Sequence, residues 1–95
     1  MNMQNLMAQA QKMQRELEKV TKEIENTVFE GESGVVKIKI KGNYEVLEVV
    51  VLDNIDDSDM LSDMILVATN DALSKIKKLK SEKLGRYTGG LGGLF

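Results

Sequence analysis

The chain has 95 residues, enough for one domain with a single core; 42% are apolar, 29% are charged, and the net charge is −2. It contains neither cysteine nor histidine, so disulfides and thiolate or imidazole metal sites are excluded, and we expect no enzyme activity, metal or cofactor. No apolar run approaches the roughly 18 residues that span a membrane and no export signal begins the chain, so we expect a cytoplasmic protein without a membrane partner.

The first predicted element is a long amphipathic helix over residues 2 to 25 or 26. From Leu6 to Ile24 its apolar residues alternate between steps of four and three, which keeps them on one side of a helix. Strong helix formers fill the other positions. Four cations share the opposite side: Lys12, Arg15, Lys19 and Lys22. This side is either a solvated face with ion pairs along the helix or a stripe that contacts phosphates.

Three strands are predicted next, over residues 27–30, 35–41 and 44–52. The middle strand alternates strictly, with Val36, Ile38 and Ile40 facing inward and Lys37, Lys39 and Lys41 on the open face. The segment 31–34 predicts a tight turn or bulge and not a phosphate-binding loop, because a strand follows it where such a loop needs a helix. Residues 42–43 predict a two-residue hairpin.

The third strand ends in four consecutive apolar residues, 49–52. A strand with one wet face alternates, whereas a strand covered on both sides is apolar throughout. Two helices from one chain can cover only one face of the sheet. A second copy of the chain is the simplest cover for the other face.

A second long helix is predicted over residues 58–84. Five acidic residues lie between positions 53 and 63, but they lack the spacing of a calcium-binding loop. Helix capping by Asp57 or Ser58 explains them better, because carboxylates are favoured at the N-terminal end of a helix. Small residues at 68 and 72 permit close approach to the sheet or to another helix.

The end of this helix is strongly basic. Within twelve residues there are six cations against the single Glu82, more than the helix dipole alone requires. We call this set the cationic pole, and it indicates an anionic partner. It consists of Lys75, Lys77, Lys78, Lys80, Lys83 and Arg86.

The chain therefore divides into one domain over residues 1–86 and a glycine-rich tail over 87–95 that we predict to be flexible. The first helix, at about 23 residues, is roughly 35 Å long, but strands of about seven residues reach only some 23 Å. The helices must overhang the sheet and pack on each other or on a partner. Such a shape suits gripping a partner and not enclosing a small-molecule substrate.

The sequence resembles the YbaB/EbfC nucleoid-associated proteins of bacteria over nearly its whole length. The matching pieces are Asn5-Leu6-Met7, Gln9-Ala10-Gln11, Met13-Gln14, Gly31-Glu32-Ser33-Gly34, Val36-Lys37, Gly42, Asn70-Asp71-Ala72, Glu82-Lys83 and the glycine-rich tail. The resemblance implies an α+β fold, an α-β-β-β-α protomer with a three-stranded antiparallel sheet and two long helices, in an intertwined homodimer. It also implies binding to double-stranded DNA with little base specificity, the paired helices projecting like the arms of tweezers.

The leading hypothesis is thus a dimeric DNA-binding protein of the nucleoid, with a role in nucleoid organisation and gene regulation. The cationic pole would neutralise phosphates, supported by Lys12, Arg15, Lys19 and Lys22. The lysines of the middle strand are a third option. Reversing Lys77, Lys78 and Lys80 to glutamate is expected to abolish binding. The alternative is a non-catalytic protein-interaction module that uses the long amphipathic helices.

Overall fold

A computed structural model describes residues 2–88 of the chain, and the side chains of Arg86 and Thr88 lie outside that description. The elements in chain order are α1 (Met3–Glu25), β1 (Val28–Ser33), β2 (Val36–Lys41), β3 (Val46–Val51) and α2 (Ser58–Thr88). The strands form one antiparallel sheet in the order β1-β2-β3. The predicted fold class is confirmed. No helix of the described part combines the length and hydropathy that crossing a membrane requires.

The core forms between α2 and the faces of β1 and β2. Val36, Ile38 and Ile40 are buried on this side, as their alternation with lysine predicted. They pack against the small residues of α2, Ala68 and Ala72, and against Ile76. Because the helix presents alanines to the sheet, its backbone lies close to β1.

Gly31 lies at this close approach. A Cβ at Gly31 would overlap the carbonyl oxygen of Ala68 and lie 2.5 Å from the backbone nitrogen of Ala72. The prediction of a turn over 31–34 is therefore wrong at its start: β1 continues through Gly31 to Ser33, paired with β2 throughout. Of residues 31–34, Gly34, with φ of 54°, is the one that adopts the left-handed conformation that favours glycine.

The connection between β2 and β3 is longer than predicted. Tyr44 donates its backbone N–H to the carbonyl of Lys41, and Lys41 donates to the carbonyl of Glu45, so the loop has three residues. Tyr44 takes the left-handed conformation, with φ of 73°. This is a turn followed by a left-handed residue, a common three-residue hairpin. Gly42 is required for another reason, since a Cβ there would overlap the carbonyl oxygen of Ile24 at the end of α1.

The two helices overhang the sheet and pack on each other, as their lengths predicted. α2 runs antiparallel to β1, because Gly34 lies against Met64 while Glu30 lies against Lys75. The 31 residues of α2 span about 46 Å, yet the molecule is 68 Å long. The first half of α1, which is exposed throughout, therefore extends beyond the end of α2. We call α1 together with residues 77–88 of α2 the arm.

The predicted end of the second helix at residue 84 is wrong, because α2 continues through Gly85 to Thr88. Leu84 is only 2% exposed, and its burial holds the last turns in place. A glycine costs a helix about 1 kcal/mol relative to alanine, too little to end one that is packed on both sides of it. Of the predicted tail, 87–95, the first two residues belong to α2 and residues 89–95 lie outside the described residues.

Candidate nucleic-acid interface

The acidic end of α2 is a helix cap. Asp57 precedes the helix, and its Oδ1 accepts hydrogen bonds from the backbone N–H groups of Asp59 and Met60, each at 3.1 Å. Its carbonyl accepts the first backbone bond, from Leu61 at 3.0 Å. The predicted capping is confirmed. Within residues 2–88, no group of three acidic residues is arranged to hold a metal ion.

Two members of the cationic pole are tied into the fold. Lys75 donates from Nζ to the carbonyl oxygen of Glu30 at 2.7 Å and lies 3.6 Å from Asp71 Oδ2. Lys80 donates to the hydroxyl of Tyr44 at 2.7 Å, with its Nζ 4.3 Å from the centre of the ring. These lysines hold α2 against β1 and against the β2–β3 hairpin. Their ammonium groups are partly committed before any ligand arrives.

The remaining described lysines of the pole are available to a ligand. Lys77, Lys78 and Lys83 are exposed, and no ion pair or hydrogen bond joins their side chains to any other part of residues 2–88. The fold therefore divides the five lysines that the sequence grouped together, while the side chain of the sixth member, Arg86, lies outside the description. The predicted triple reversal is better made at Lys83 than at Lys80, because loss of Lys80 would also release the hairpin.

The cations of α1 lie on the same arm but on its other side. Lys12, Arg15, Lys19 and Lys22 are exposed. They occupy the positions opposite the apolar seam, and the second half of that seam packs against α2. The arm thus presents cations outward from both helices. Four acidic residues share this stretch of α1: Glu16, Glu18, Glu23 and Glu25.

The first turns of the arm carry no charge at all. Residues 2–11 contain Asn, Gln, Met, Leu and Ala, and Lys12 is the first charged side chain. Positive charge is therefore concentrated in the middle of the molecule, where α1 lies along the end of α2. The tip of the arm offers phosphates no cation.

On the open face of the sheet, the third option, two of the three lysines are paired with glutamates, and Lys41 is half-buried. Lys37 lies 4.0 Å from both Glu30 and Glu32 across β1, and Lys39 lies 3.6 Å from Glu48 on β3. Such exposed pairs add little stability, but they neutralise the lysines as a phosphate-binding surface. The register explains the pairing, because these residues are opposite or diagonal neighbours on one face.

An apolar surface lies uncovered over β3. The register places Val46, Val49 and Val51 on the same face as the core residues of β2, but they are 54%, 52% and 45% exposed. α2 packs on β1 and β2 and leaves this third strand open. Leu66, on the flank of α2, is 58% exposed. We call Val46, Val49, Val51 and Leu66 the β3 patch.

The two edges of the sheet differ. At the β1 edge the N–H of Glu32 donates to Asp71 Oδ2 at 3.1 Å, and Lys75 bonds the carbonyl of Glu30. Side chains of α2 thus cover that edge. At the β3 edge, no hydrogen bond from the described part of the chain reaches the outer side of the strand. An open apolar edge beside an open apolar face is a surface that proteins normally cover.

The fold and its charges define a small α+β protein with one projecting helical arm that carries a basic surface. Sequence comparison makes the class specific. Residues 1–91 match the YbaB/EbfC DNA-binding family, and the chain belongs to that family. The resemblance noted from the sequence is confirmed.

The chain is also similar to nucleoid-associated proteins from three bacteria. A nucleoid-associated protein of Chloroflexus aurantiacus is 41% identical over the full length of both chains. One of Ruminiclostridium cellulolyticum is 42% identical over 98% of this chain and 85% of its own. One of Legionella pneumophila is 42% identical over 95% and 84%. The fold is also that of uncharacterized protein HP0035 from Helicobacter pylori, with a TM-score of 0.78 and 17% identity over 94% of this chain and 99% of that one.

Proposed function

We propose that this chain acts in the nucleoid as a homodimer that binds duplex DNA with little sequence preference, with roles in nucleoid organisation and gene regulation. The observation that carries the proposal is the position of Lys77, Lys78 and Lys83. These lysines project from the arm with no partner within residues 2–88. Lys12, Arg15, Lys19 and Lys22 add to the positive charge from the other helix.

Binding of this kind carries little sequence information. A lysine ammonium is a mobile point charge that pairs with phosphates, and phosphate contacts position a protein on DNA without reading its bases. The free cations described on α2, which are Lys77, Lys78 and Lys83, are all lysines. Affinity from such contacts comes largely from released counterions and falls steeply as salt rises.

The overall acidity of the chain does not oppose this proposal. The acidic residues 53–63 lie before and within the first turns of α2, and Lys77 lies 14 residues after Asp63, the last of them. That separation is about 21 Å along the helix axis. The Debye length at physiological ionic strength is about 8 Å, so the two ends are screened from each other. A phosphate at the arm experiences the local charge and not the net charge.

The β3 patch supports the homodimer. Its four residues are about half exposed, and they continue the core face of the sheet beyond the part that α2 covers. A second copy offers the same apolar face and the same open edge, so the contact can be formed with two-fold symmetry. Dimer formation would also place two arms in one particle, which increases the number of phosphates that one particle can contact.

A mixed-sequence duplex titrated at low and high salt, with light scattering of the free protein, tests both parts of the proposal. We expect a dimer that binds DNA at low salt and releases it at high salt. A dimer that fails to bind DNA at low salt would reject DNA as the ligand and favour the protein-interaction module. If the protein is a monomer that binds DNA, the cationic surface remains supported as the DNA-binding site, and the β3 patch is rejected as a dimer interface.

A further inference from the structure

The apolar seam of α1 is used only along half of its length. Its later members Leu17 and Val20 are half-buried, and Ile24 is buried, where α1 packs on α2. The first half keeps the same spacing, but Met3 is 77% exposed, Leu6 44% and Met13 49%. We call Met3, Leu6, Ala10 and Met13 the tip seam. Its continuity with the buried half indicates that another helix fits it in the same manner.

The tip has no cationic side chain to pair with DNA phosphates, and its apolar seam favours another protein surface. Residues 2–11 carry no charged side chain, so phosphates would gain no ion pair there. For the same reason, two copies of the tip can approach each other without charge repulsion. Glutamine and asparagine lie beside the seam and keep the protein soluble while the seam is exposed to solvent.

We propose that the tip seams of two copies pack against each other as antiparallel helices and so join one particle to the next. Pairing centred on Ala8 places Met3 opposite Met13 of the second copy and Leu6 opposite its Ala10. Each layer then combines one a position with one d position, which is the layering of antiparallel coiled coils. Leucine against alanine also matches a large side chain with a small one. Both copies use the same surface, as two-fold symmetry requires.

Within residues 2–88 the chain offers no further helix for this place. The described part of α2 reaches Thr88, alongside the buried half of α1. Residues 89–95 include four glycines, each of which costs a helix about 1 kcal/mol relative to alanine. An antiparallel helix with the matching seam is therefore supplied by a second copy.

The contact between two tip seams is short, so it forms chiefly when two arms are already held close together. The seam from Met3 to Met13 spans about 15 Å, which gives only four layers. Helix pairs of this length are weak in dilute solution, but linkage to a common DNA raises the effective concentration of neighbouring arms. The inference does not depend on the β3 patch, since two monomers could also join by their tips.

A charge placed in the seam tests the proposal. Leu6→Glu with Met13→Glu puts carboxylates at the contact, whereas Gln4→Glu with Gln11→Glu makes the same charge change on the outer side of the same helix. Sedimentation velocity at high protein concentration, where weak helix pairs form, should show that wild type and control make particles larger than their basic unit. The seam variant should lose those particles while keeping the basic unit and its melting curve. Equal behaviour of the two variants, or no larger particle of wild type, would overturn the proposal.

Disulfide trapping tests the geometry, because the chain has no cysteine of its own. A mixture of the Met3→Cys and Met13→Cys proteins should form the mixed disulfide between basic units far faster than Met3→Cys pairs with itself. Self-pairing at the same rate would reject the antiparallel arrangement. Wild type ending at Thr88 should still form the larger particles. If the truncated protein no longer forms them, residues 89–95 and not a second tip seam make the contact, and the proposal is overturned.

Discussion

The three free lysines of the arm provide the sharpest test of the proposed DNA binding. Replacing Lys77, Lys78 and Lys83 by glutamine removes three positive charges that have no partner within residues 2–88. Each phosphate contact changes the slope of log K against log salt by about 0.9, so losing three lowers it by about 2.7 for one arm. At 0.1 M salt this corresponds to a loss of affinity of about 500-fold. The loss should be uniform across DNA sequences.

Fluorescence anisotropy with a labelled duplex, repeated at several salt concentrations, measures both quantities. The matched control is Lys37→Gln with Lys39→Gln, whose positive charges are already balanced by glutamates on the sheet. We expect that control to keep nearly the wild-type slope. If the arm variant keeps the wild-type slope, or if both variants lose slope equally, the cationic pole is not the DNA-binding surface. Unchanged melting curves would show that neither variant acts by unfolding.

Three further changes test the packing that places this surface. Gly31→Ala should lower the free energy of unfolding, measured in urea, by about 1–3 kcal/mol, because α2 must move away from β1. Gly85→Ala should raise it by about 0.5–1 kcal/mol, because a Cβ there meets open space. Equal effects of the two variants would contradict the close approach of α2 to β1. Val49→Glu should convert the dimer to a monomer by light scattering with little loss of melting temperature, and a persisting dimer would reject the β3 patch. Asp71→Ala should cost about 1 kcal/mol through loss of its bond to Glu32, and a stability equal to wild type would show that α2 does not secure that edge.

The order of elements could be predicted because each has a clear periodicity. The seam of α1 alternates in steps of four and three, and β2 alternates every second residue, so the buried faces of both follow from the sequence. The capping residue Asp57 could be predicted because acidic residues precede a helical pattern. Local chemistry decides each of these features, and local chemistry is visible in a sequence.

The errors came from features that tertiary contacts decide. Gly31 was assigned to a turn because glycine is common there, but in the structure it makes room for α2. Tyr44 was assigned to a strand, but it adopts a left-handed conformation that tyrosine does not favour. In this conformation its hydroxyl accepts a hydrogen bond from Lys80. A single sequence does not show which residues approach from 36 or more positions away.

The division of the cationic pole has the same origin and matters most for function. Lysines at positions 75 to 83 are indistinguishable by residue type, but they lie on different sides of α2. Lys75 and Lys80 meet β1 and the hairpin, whereas Lys77, Lys78 and Lys83 meet only solvent within the described chain. The same helix therefore fastens the fold with one set of lysines and exposes another set. A charge count along the sequence therefore overestimates the proposed DNA-binding surface by the lysines that already bond to other parts of the fold.

The position of charge along α1 then separates two kinds of contact on one helix. Its second half carries cations outward and an apolar seam inward, so it can face DNA while it is packed on α2. Its first half keeps the seam but has lost the charge, so it can only gain by burying apolar surface. A protein built this way can hold a duplex with the middle of its arm and leave the tip for another protein. Charge reversal at the middle and charge insertion at the tip should therefore have separable effects, the first on DNA affinity and the second on assembly.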